Sequence, residues 1–543
     1  MTLADPKMKN DSPPSSVNPW VVMAFIALPV FIGSLDLTVV SAFLPELVVE
    51  LQLPFERALD DAAWIVTGYL LAYTVSLTFM GRVSDLVGRR AVYIACLIIF
   101  LLGSLLVATA HLGPTDLLFS IYRRLGQRPE IAYVNLQVII FARVIQALGA
   151  GALVPVSMAL VADLFPANRR AAALGLVGAL DTLGWVLGHL YGGILVQVMP
   201  WQGLFWINIP LSLLAMAGVL YALRHVPQIR VKGRFDFVGT ALIIGALSCL
   251  NIGLGANIEM GSASTVDELS ALPPYAGPVL LAGAIMFALF ILVELRVRDP
   301  LINLRMFAKR NIAAASIVNV LVGYCLFIGL VSVPLFVNIR QESAADLQKA
   351  ALEVGFLLST LTIPMALAAL PGGWLSQRIG MRTTLLIGLV MAAVGFFLKW
   401  QTWSNDIDNV FLGIQMAIIG VGIGLTFSPV SEAIINTASD DERGVASALV
   451  IILRLIGMTV SVSTLSTFGL YRVNAIVSAA QQSATFDANS MINIYTQATL
   501  TVLEEMGLIG LTLCVIAILP TLFISGKALL TRDVTNETPG QLL

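Results

Sequence analysis

Apolar segments of about twenty residues recur along nearly the whole chain, with short polar stretches between them. A helix needs about 20 mostly apolar residues to cross roughly 30 Å of hydrocarbon. The pattern therefore predicts an all-α integral membrane protein with fourteen transmembrane helices. The predicted spans are 20–45, 62–80, 91–110, 136–161, 171–198, 203–223, 237–255, 276–295, 313–337, 353–375, 383–402, 410–436, 445–468 and 506–526.

The distribution of positive charge supports this count. If the N-terminus is cytoplasmic, most of the 31 basic residues fall on cytoplasmic segments, as the positive-inside rule requires. An even number of spans places both tails, 1–18 and 528–543, in the cytoplasm. The first span is too long for a signal-peptide core and is expected to remain as a helix. The predicted location is the cell membrane, with the chain crossing it many times.

Composition narrows the possible functions. Hydrophobic residues make up 58% of the chain and charged residues 12%, and the mean hydropathy is +0.89. The net charge of −2 is sorted by membrane side and not gathered in a patch, so no nucleic-acid partner is expected. The four cysteines lie in apolar spans without metal-ligand spacing, which predicts neither a metal site nor a disulfide.

A charged island follows the second span and has a degraded copy in the second half. Gly81–Arg90 reads GRVSDLVGRR, and Gly373–Arg382 reads GWLSQRIGMR. Eight predicted spans separate the two copies, which favours a 6+2+6 arrangement. The predicted units are an N-terminal bundle (19–224), two inserted helices with connecting loops (225–300) and a C-terminal bundle (301–527).

The island has the chemistry of a hinge between helices. Gly81 and Gly88 let backbones approach closely, and Asp85 suits the N–H groups and dipole of a helix N-terminus. The alternative is that the arginines of the island, including Arg89 and Arg90, only fix topology. The second copy has Gln377 in place of the aspartate, which predicts a weaker latch and an asymmetric gate.

Three ionisable residues are predicted at a similar depth in the first bundle. At 1.5 Å per residue, Asp36 lies about 13 Å from the outer boundary, Arg143 about 12 Å from it and Asp181 about 16 Å above the inner one. Buried charges of this kind usually face a cavity or a partner. We expect Asp36 to exchange the coupled proton, Arg143 to tune its pKa, and Asp181 to bind substrate or a second proton. The alternative is a structural ion network.

Two further sets of residues are candidates. Small residues line one face of the fifth span and permit tight helix packing, namely Gly184, Gly188, Gly192 and Gly193. His189 within this run is either a second proton carrier or a solvated side chain. A substrate cavity is predicted to include Gln146, Tyr69, Tyr324 and Arg454, although packing roles remain open for the tyrosines and pairing for the arginine.

Together these motifs resemble a major facilitator superfamily transporter, and within it the fourteen-helix drug:proton antiporter family. The resemblance rests on the hinge and on segments spread over almost the whole chain, namely Leu35–Val40, Trp64–Tyr69, Arg143–Gly151, Phe205–Pro210, Phe235–Gly239, Asp299–Ile302 and Glu442–Ser447. It implies that Asp85 and Arg89 latch the bundles on the cytoplasmic side and that Asp36 and Arg143 act in coupling. The fifth-span glycines resemble the antiporter motif, with His189 in place of the usual proline.

The expected function is a proton-coupled antiporter that exports hydrophobic or amphiphilic compounds, of the multidrug efflux type, by alternating access. The alternative is a carrier for a lipid, siderophore or metabolite, coupled or uniport. No metal triad or nucleophile pair suggests an enzyme, and no cofactor besides the coupling proton is expected. The protein is expected to work as a monomer in the lipid bilayer. The cargo and the roles of the outer loops 111–135 and 469–505 stay open.

Overall fold

The computed structural model describes residues 18–51, 55–127, 129–195, 198–224, 233–253, 275–340, 347–439, 442–481 and 488–525. Over these residues the regular elements are fifteen α-helices and one short 3-10 helix, Leu304–Ala308. The α-helices are α1 Pro19–Glu50, α2 Phe55–Val87, α3 Arg89–Ala108, α4 Pro114–Arg124, α5 Ile131–Leu164, α6 Ala167–Leu195, α7 Gln202–Ala222, α8 Phe237–Gly253, α9 Ala276–Glu294, α10 Arg310–Ile339, α11 Leu347–Ile379, α12 Met381–Thr402, α13 Asn409–Ile435, α14 Arg443–Gln481 and α15 Ala488–Leu522.

Twelve helices are long and apolar enough to cross a membrane within the described part of the chain. The apolar runs of α6 and α8 are shorter, at Ala172–Trp185 and Phe237–Gly253. By length and composition the described residues therefore supply twelve candidate spans, two fewer than the fourteen that the hydropathy pattern predicts.

The long helices pack in two groups. The first contains α1, α2, α3, α5, α6 and α7, and the second contains α10 to α15. Helices α8 and α9 pack on each other, and α8 also contacts α2. The two groups meet where α6 contacts α11 and α13, and where α14 contacts α2 and α5. The candidate site lies between these facing helices.

Two glycines with positive φ make equivalent sharp turns in the two groups. Gly88 (φ 113°) separates α2 from α3, and Gly380 (φ 90°) separates α11 from α12. A side chain at either position would be strained in this backbone conformation. The second glycine of each hinge copy is therefore explained by the turn that joins its two helices.

The structure corrects the two outer segments predicted as long loops. Residues 111–135 contain α4, and the 469–505 segment continues α14 to Gln481 and starts α15 at Ala488. Arg472 and Glu505 join these two helices, with Nη2 donating to Oε1 at 2.7 Å and Nε at 2.9 Å. At 1.5 Å per residue the 39 residues of α14 span about 58 Å, so the predicted bounds 445–468 and 506–526 are too short. Hydropathy finds only the part of a helix that lies in lipid.

Several predicted segments fall on residues outside the described part. These are most of the tail 1–18, the tail 528–543 and most of the loop between α8 and α9.

Candidate functional site

A buried ion pair lies inside the first bundle. Asp36 of α1 is 1% exposed and Arg143 of α5 is fully buried, and their side chains are in ion-pair contact through Nη1 and Oδ2. Nη2 of Arg143 also donates to the backbone oxygen of Asp36 at 3.1 Å. A buried charge pair is stable only when further hydrogen bonds satisfy its remaining atoms. The surrounding side chains supply them for every polar side-chain atom of the pair except Nε of Arg143.

Three neighbours complete the polar network around the pair. Asn208 of α7 donates from Nδ2 to the second carboxylate oxygen of Asp36 at 2.7 Å. Gln146 accepts from Nη1 of Arg143 at 2.7 Å. Tyr69 of α2 lies under the guanidinium, 3.9 Å from its ring centroid, and its hydroxyl donates to the backbone oxygen of Gly33 at 3.2 Å. The pair is therefore held by four helices of one bundle.

A cavity of about 570 Å³ lies between the two bundles. Its walls are mostly apolar and come from α1, α2, α6, α10 and α14, with Ser34, Leu37, Leu70, Tyr73, Thr74, Asp181, Thr182, Trp185, Leu326, Ile451, Arg454, Leu455 and Met458 as lining residues. Only two of these side chains are charged, one carboxylate and one guanidinium. They come from opposite bundles.

Asp181 is the acidic group of the cavity. Its Oδ1 accepts a hydrogen bond from the hydroxyl of Ser34 at 2.6 Å, which links α6 to α1. The described residues include no ion-pair partner for this carboxylate. The hydroxyl of Tyr73 is a second neutral donor to Asp181. A carboxylate with neutral donors alone is less compensated than an ion-paired one, so its charge responds strongly to what fills the cavity.

Arg454 reaches across the cavity from α14 of the other bundle. Its Nη1 lies 3.4 Å from the hydroxyl of Thr182, and a Cβ placed on Gly178 of α6 would lie 4.0 Å from both terminal nitrogens. The guanidinium stacks 3.8 Å from the ring centroid of Phe427. Nε and Nη2 are buried without a hydrogen-bond partner in the described structure. Arg454 and Asp181 interact electrostatically without ion-pair contact.

The structure divides the predicted charge layer into two sites. It brings Asp36 and Arg143 together as expected, but it places Asp181 beside the cavity with Arg454. Of the predicted cavity residues, Arg454 lines the cavity, whereas Tyr69 and Gln146 contact Arg143 behind it. Tyr324 instead shares a 2.5 Å hydrogen bond with Thr464. Depth alone could not separate these sites, because the angular position of each helix decides which cavity its side chain faces.

The glycines of α6 lie against α1. A Cβ on Gly184 would lie 2.5 Å from the backbone oxygen of Phe31, and one on Gly188 would lie 2.4 Å from that of Leu35. Neither position can hold a larger residue without moving a helix, so this face packs as closely as the glycine spacing predicts. Gly192 also lies on α6, while the side chain of His189 and the environment of Gly193 lie outside the described residues.

The hinge closes one side of the molecule through α2 and α14. A Cβ on Gly81 would lie 2.5 Å from the backbone oxygen of Gly444, and one on Gly444 would lie 2.5 Å from Oδ2 of Asp85. That oxygen makes no hydrogen bond in the described structure, so Asp85 meets the first turn of α14 through the helix dipole. The other oxygen of Asp85 pairs with Arg89 at 3.1 Å.

Asp163 at the end of α5 extends this contact to the second bundle. It is in ion-pair contact with Arg89 and lies 3.5 Å from Arg443, which begins α14. Arg90 instead contacts its own bundle, at the backbone oxygen of Leu223. The hinge is therefore a network of opposite charges that joins the bundles.

The second hinge copy closes the same side without an ion pair between described residues. A Cβ on Gly373 would lie 2.3 Å from the α-carbon of Ala172, so α11 and α6 touch through their backbones. Ser376 donates to Glu432 at 2.7 Å, and Nε2 of Gln377 is buried without a partner among described residues. The expected asymmetry of the two copies is thus visible in their contacts.

Sequence reasoning missed several residues of these sites. Asn208, Ser34, Thr182 and Asp163 were not predicted, although each is a polar residue in or at the end of an apolar span. Asn208 also lies in a segment that carries the family resemblance. A count of polar residues within spans would have found them but could not have assigned their partners.

The chain belongs to the Major Facilitator Superfamily. The profile of that family matches residues 26–462, which is most of the chain. The protein is therefore a multi-pass membrane protein of the cell membrane, and a transporter rather than an enzyme.

Its relatives at similar length are named as lipid transporters. The triacylglyceride transporter of Mycolicibacterium smegmatis is 33% identical over 92% of this chain and 86% of its own. The triacylglyceride transporter of Mycolicibacterium hassiacum is 33% identical over 92% of this chain and 91% of its own. A triacylglyceride transporter of Mycobacterium tuberculosis is 30% identical over 92% and 93% of the two chains.

Solved structures show the same fold at low identity. The proton:xylose symporter XylE matches with a TM-score of 0.56 at 14% identity, over 92% of this chain and 95% of its own. A human organic anion transporter matches with a TM-score of 0.53 at 16% identity, over 92% and 100% of the two chains. These likenesses concern the fold.

Proposed function

We propose that this protein exports a neutral long-chain lipid of the triacylglyceride type, in exchange for protons and by alternating access. This is the lipid alternative of the sequence analysis, and it replaces multidrug efflux as the main hypothesis. Support comes from relatives of similar length that are named triacylglyceride transporters. The carrying observation is the cavity between the bundles, which is apolar apart from a few hydroxyl groups, Trp185, Asp181 and Arg454.

The lining of the cavity suits acyl chains. Leucine, isoleucine and methionine are six of its thirteen lining residues, and Tyr73 and Trp185 add aromatic surface, so hydrocarbon gains the free energy of leaving water there. Nε1 of Trp185 is buried without a hydrogen-bond partner in the described structure, so it is a neutral donor available to an ester oxygen. A cationic drug would be repelled by Arg454 and attracted by Asp181, so the two charges offset each other for it, whereas a neutral lipid depends on neither. The composition of the wall therefore favours a neutral lipid.

The closed hinge side defines the state of the transporter. We propose that this side is cytoplasmic, that α6 and α8 also cross the membrane, and that fourteen spans are arranged 6+2+6 with both termini inside. Support comes from the lysines and arginines gathered on this side. Close backbone contacts at Gly81 and Gly373 seal it, so the cavity in this state is reached from the other side.

Coupling to protons is assigned to the two charged groups of the cavity. When Asp181 is ionised, its attraction to Arg454 draws α6 toward α14 and narrows the cavity. Either ligand alone weakens that attraction: a proton on Asp181 removes the negative charge, and a lipid in the cavity holds the two side chains apart. The proton-loaded carrier and the lipid-loaded carrier can therefore each change state, whereas the empty carrier with an ionised Asp181 cannot, which is the condition for exchange.

The Asp36–Arg143 pair remains the second proton site of the proposal. It lies in the same bundle as Asp181, and Ser34, which bonds to Asp181, lies two residues before Asp36 on α1. A proton that reaches Asp36 breaks its ion pair and frees Arg143, which is the switching step. Asp181 exchanges the proton with the cavity, and protonation of Asp36 causes the helices to move.

A reconstitution experiment tests this proposal. The purified protein is placed in vesicles that carry a fluorescent triacylglyceride, and an imposed pH gradient drives transfer to an acceptor particle outside. We expect transfer that depends on the gradient and stops when an ionophore dissipates it. The matched control is the Asp181→Asn variant, which keeps the hydrogen bond from Ser34 and should give no driven transfer.

The same vesicles test the rival functions. A lipophilic cation that is pumped while the triacylglyceride is not would restore the multidrug hypothesis. Lipid transfer of equal rate with and without the gradient would show a uniporter and overturn the coupling.

A further inference from the structure

Two acidic side chains meet where the inserted helices α8 and α9 approach the hinge side. Asp236 precedes α8 and caps it, since its Oδ1 accepts from the backbone N–H of Gly239 at 2.9 Å. Glu294 is the last residue of α9, and its Oε1 accepts from the backbone N–H of Ile302 at 3.4 Å. Each carboxyl group thus uses one oxygen to hold a chain end.

Both carboxyl groups lie close to Gly239. A Cβ placed there would lie 2.3 Å from Oδ2 of Asp236 and 2.8 Å from Oε1 of Glu294. Both oxygens therefore border the same small space, which the missing side chain of Gly239 leaves free. Any larger residue would push the carboxyl groups apart.

The remaining oxygens of the pair are buried and unsatisfied. Asp236 is 8% exposed and Glu294 is 4% exposed. Oδ2 of Asp236 and Oε2 of Glu294 have no hydrogen-bond partner in the described structure. Two adjacent ionised carboxylates repel each other, and each buried lone pair without a donor costs free energy. One proton between them removes both penalties.

We propose that Asp236 and Glu294 form a proton-binding site in which the two carboxyl groups share one proton. The site is separate from the charged groups of the central cavity and does not depend on the identity of the cargo. It gives helices α8 and α9 a function that is separate from those of the two bundles.

The charges around the pair connect it to the hinge. Arg82 of α2 acts on Glu294 and on Asp85 electrostatically, and it makes no ion pair with Asp236 or Glu294 among the described residues. Oδ2 of Asp299 accepts a hydrogen bond from the backbone N–H of Arg234 at 3.3 Å. Loss of the shared proton leaves an additional negative charge near Arg82. That charge then competes with Asp85 for the guanidinium of Arg82. Proton occupancy of the pair thereby affects the hinge.

Infrared spectroscopy of the purified protein tests the shared proton directly. A buried protonated carboxyl has a carbonyl stretching band that ionised carboxylates lack, and the band shifts in heavy water. Difference spectra at neutral pH compare the wild type with Glu294→Gln and with Asp236→Asn. Asparagine retains the oxygen that caps α8, so the second variant keeps the helix start. The control is Glu505→Gln, which removes a carboxylate that is paired with Arg472.

We expect both variants to lose the same single band and the control to keep it. Each single substitution leaves one carboxyl, which is then free to ionise because the amide donates to it. A spectrum in which neither variant loses a band would show that both groups are ionised and would overturn the proposal. Loss of the band in only one variant would assign the proton to that residue alone and would equally rule out sharing. None of these readings depends on transport.

Discussion

The two charge sites of this transporter, Asp36 with Arg143 and Asp181 with Arg454, are built in opposite ways. Asp36 and Arg143 are fully buried in one bundle, in ion-pair contact, with Asn208 and Gln146 bonded to their remaining atoms. Asp181 and Arg454 belong to different bundles, line the cavity and are not in ion-pair contact. In the first site every polar side-chain atom except Nε of Arg143 has a partner, whereas the second site is open.

The two sites should therefore differ in how much stability the protein loses when a pair is broken, and in how strongly the pair responds to movement of the bundles. A satisfied buried pair is costly to break, because removal of one partner leaves the other charge unpaired. An open pair loses little stability when one member changes, yet its electrostatics change with the distance between the bundles. Stability and coupling should therefore respond differently to matched substitutions at the two sites.

The largest effect is expected from Asp36→Asn. Arg143 would then be buried without a counter-charge, so the free energy of unfolding should fall by about 3 kcal/mol or more. Gradient-driven lipid transfer should be abolished. Thermal unfolding in detergent and transfer in vesicles measure the two quantities, with Asp116→Asn on exposed α4 as the control for loss of one charge. Coupling that survives intact would remove Asp36 from the mechanism.

Asp181→Asn should affect coupling while sparing stability. The amide oxygen can still accept from Ser34, so the free energy of unfolding should change by about 1 kcal/mol or less. Driven transfer should be lost while downhill lipid exchange persists, because the charge that couples the bundles is gone. Exchange with labelled lipid at equal pH measures the second activity. A variant that still concentrates lipid against a gradient would contradict this role.

Asn208→Leu tests how far the Asp36 network depends on its neutral member. The substitution leaves one oxygen of Asp36 without its donor, which should cost about 1–3 kcal/mol. We expect driven transfer to fall by about tenfold, since a factor of ten corresponds to about 1.4 kcal/mol. The exposed Asn493→Leu serves as the matched control. Unchanged stability would show that the carboxylate is satisfied without Asn208.

The smallest effect is expected from Thr182→Val. The hydroxyl lies 3.4 Å from Nη1 of Arg454, which is long for a hydrogen bond, so both stability and transfer should change by about 0.5 kcal/mol or less. Initial rates of lipid transfer are sensitive enough to measure this. A loss of transfer as large as that of Asp181→Asn would show that the hydroxyl of Thr182 binds Arg454 more strongly than the distance indicates.

Much of the fold could be predicted from the chain because lipid imposes a simple rule. Backbone polar groups must be paired within the segment that crosses hydrocarbon, so long apolar runs become helices. The rule is weaker at α8, which has 17 residues, and it does not apply to the parts of α14 and α15 that extend beyond the apolar run. The ion pair of Arg472 with Glu505 joins the two extensions to each other.

The candidate site was predictable in part for a related reason. A charge within an apolar span is costly enough to mark a functional or paired position, which identified Asp36, Arg143, Asp181 and Arg454. Their partners were not predictable from depth, since residues at one level on different helices face different directions. Asp181 was therefore grouped with Arg143, whereas it lies at the cavity with Arg454.

The sequence by itself determined that this is a helical membrane transporter with two related halves, because hydropathy and the repeated hinge are local properties of the chain. Only the tertiary structure decided that one charge pair is closed within a bundle and the other is open between bundles. It also brought Asp236 and Glu294 together over Gly239. The physical reason is that electrostatic partners depend on the rotation and packing of whole helices, which are set by contacts between residues far apart in sequence.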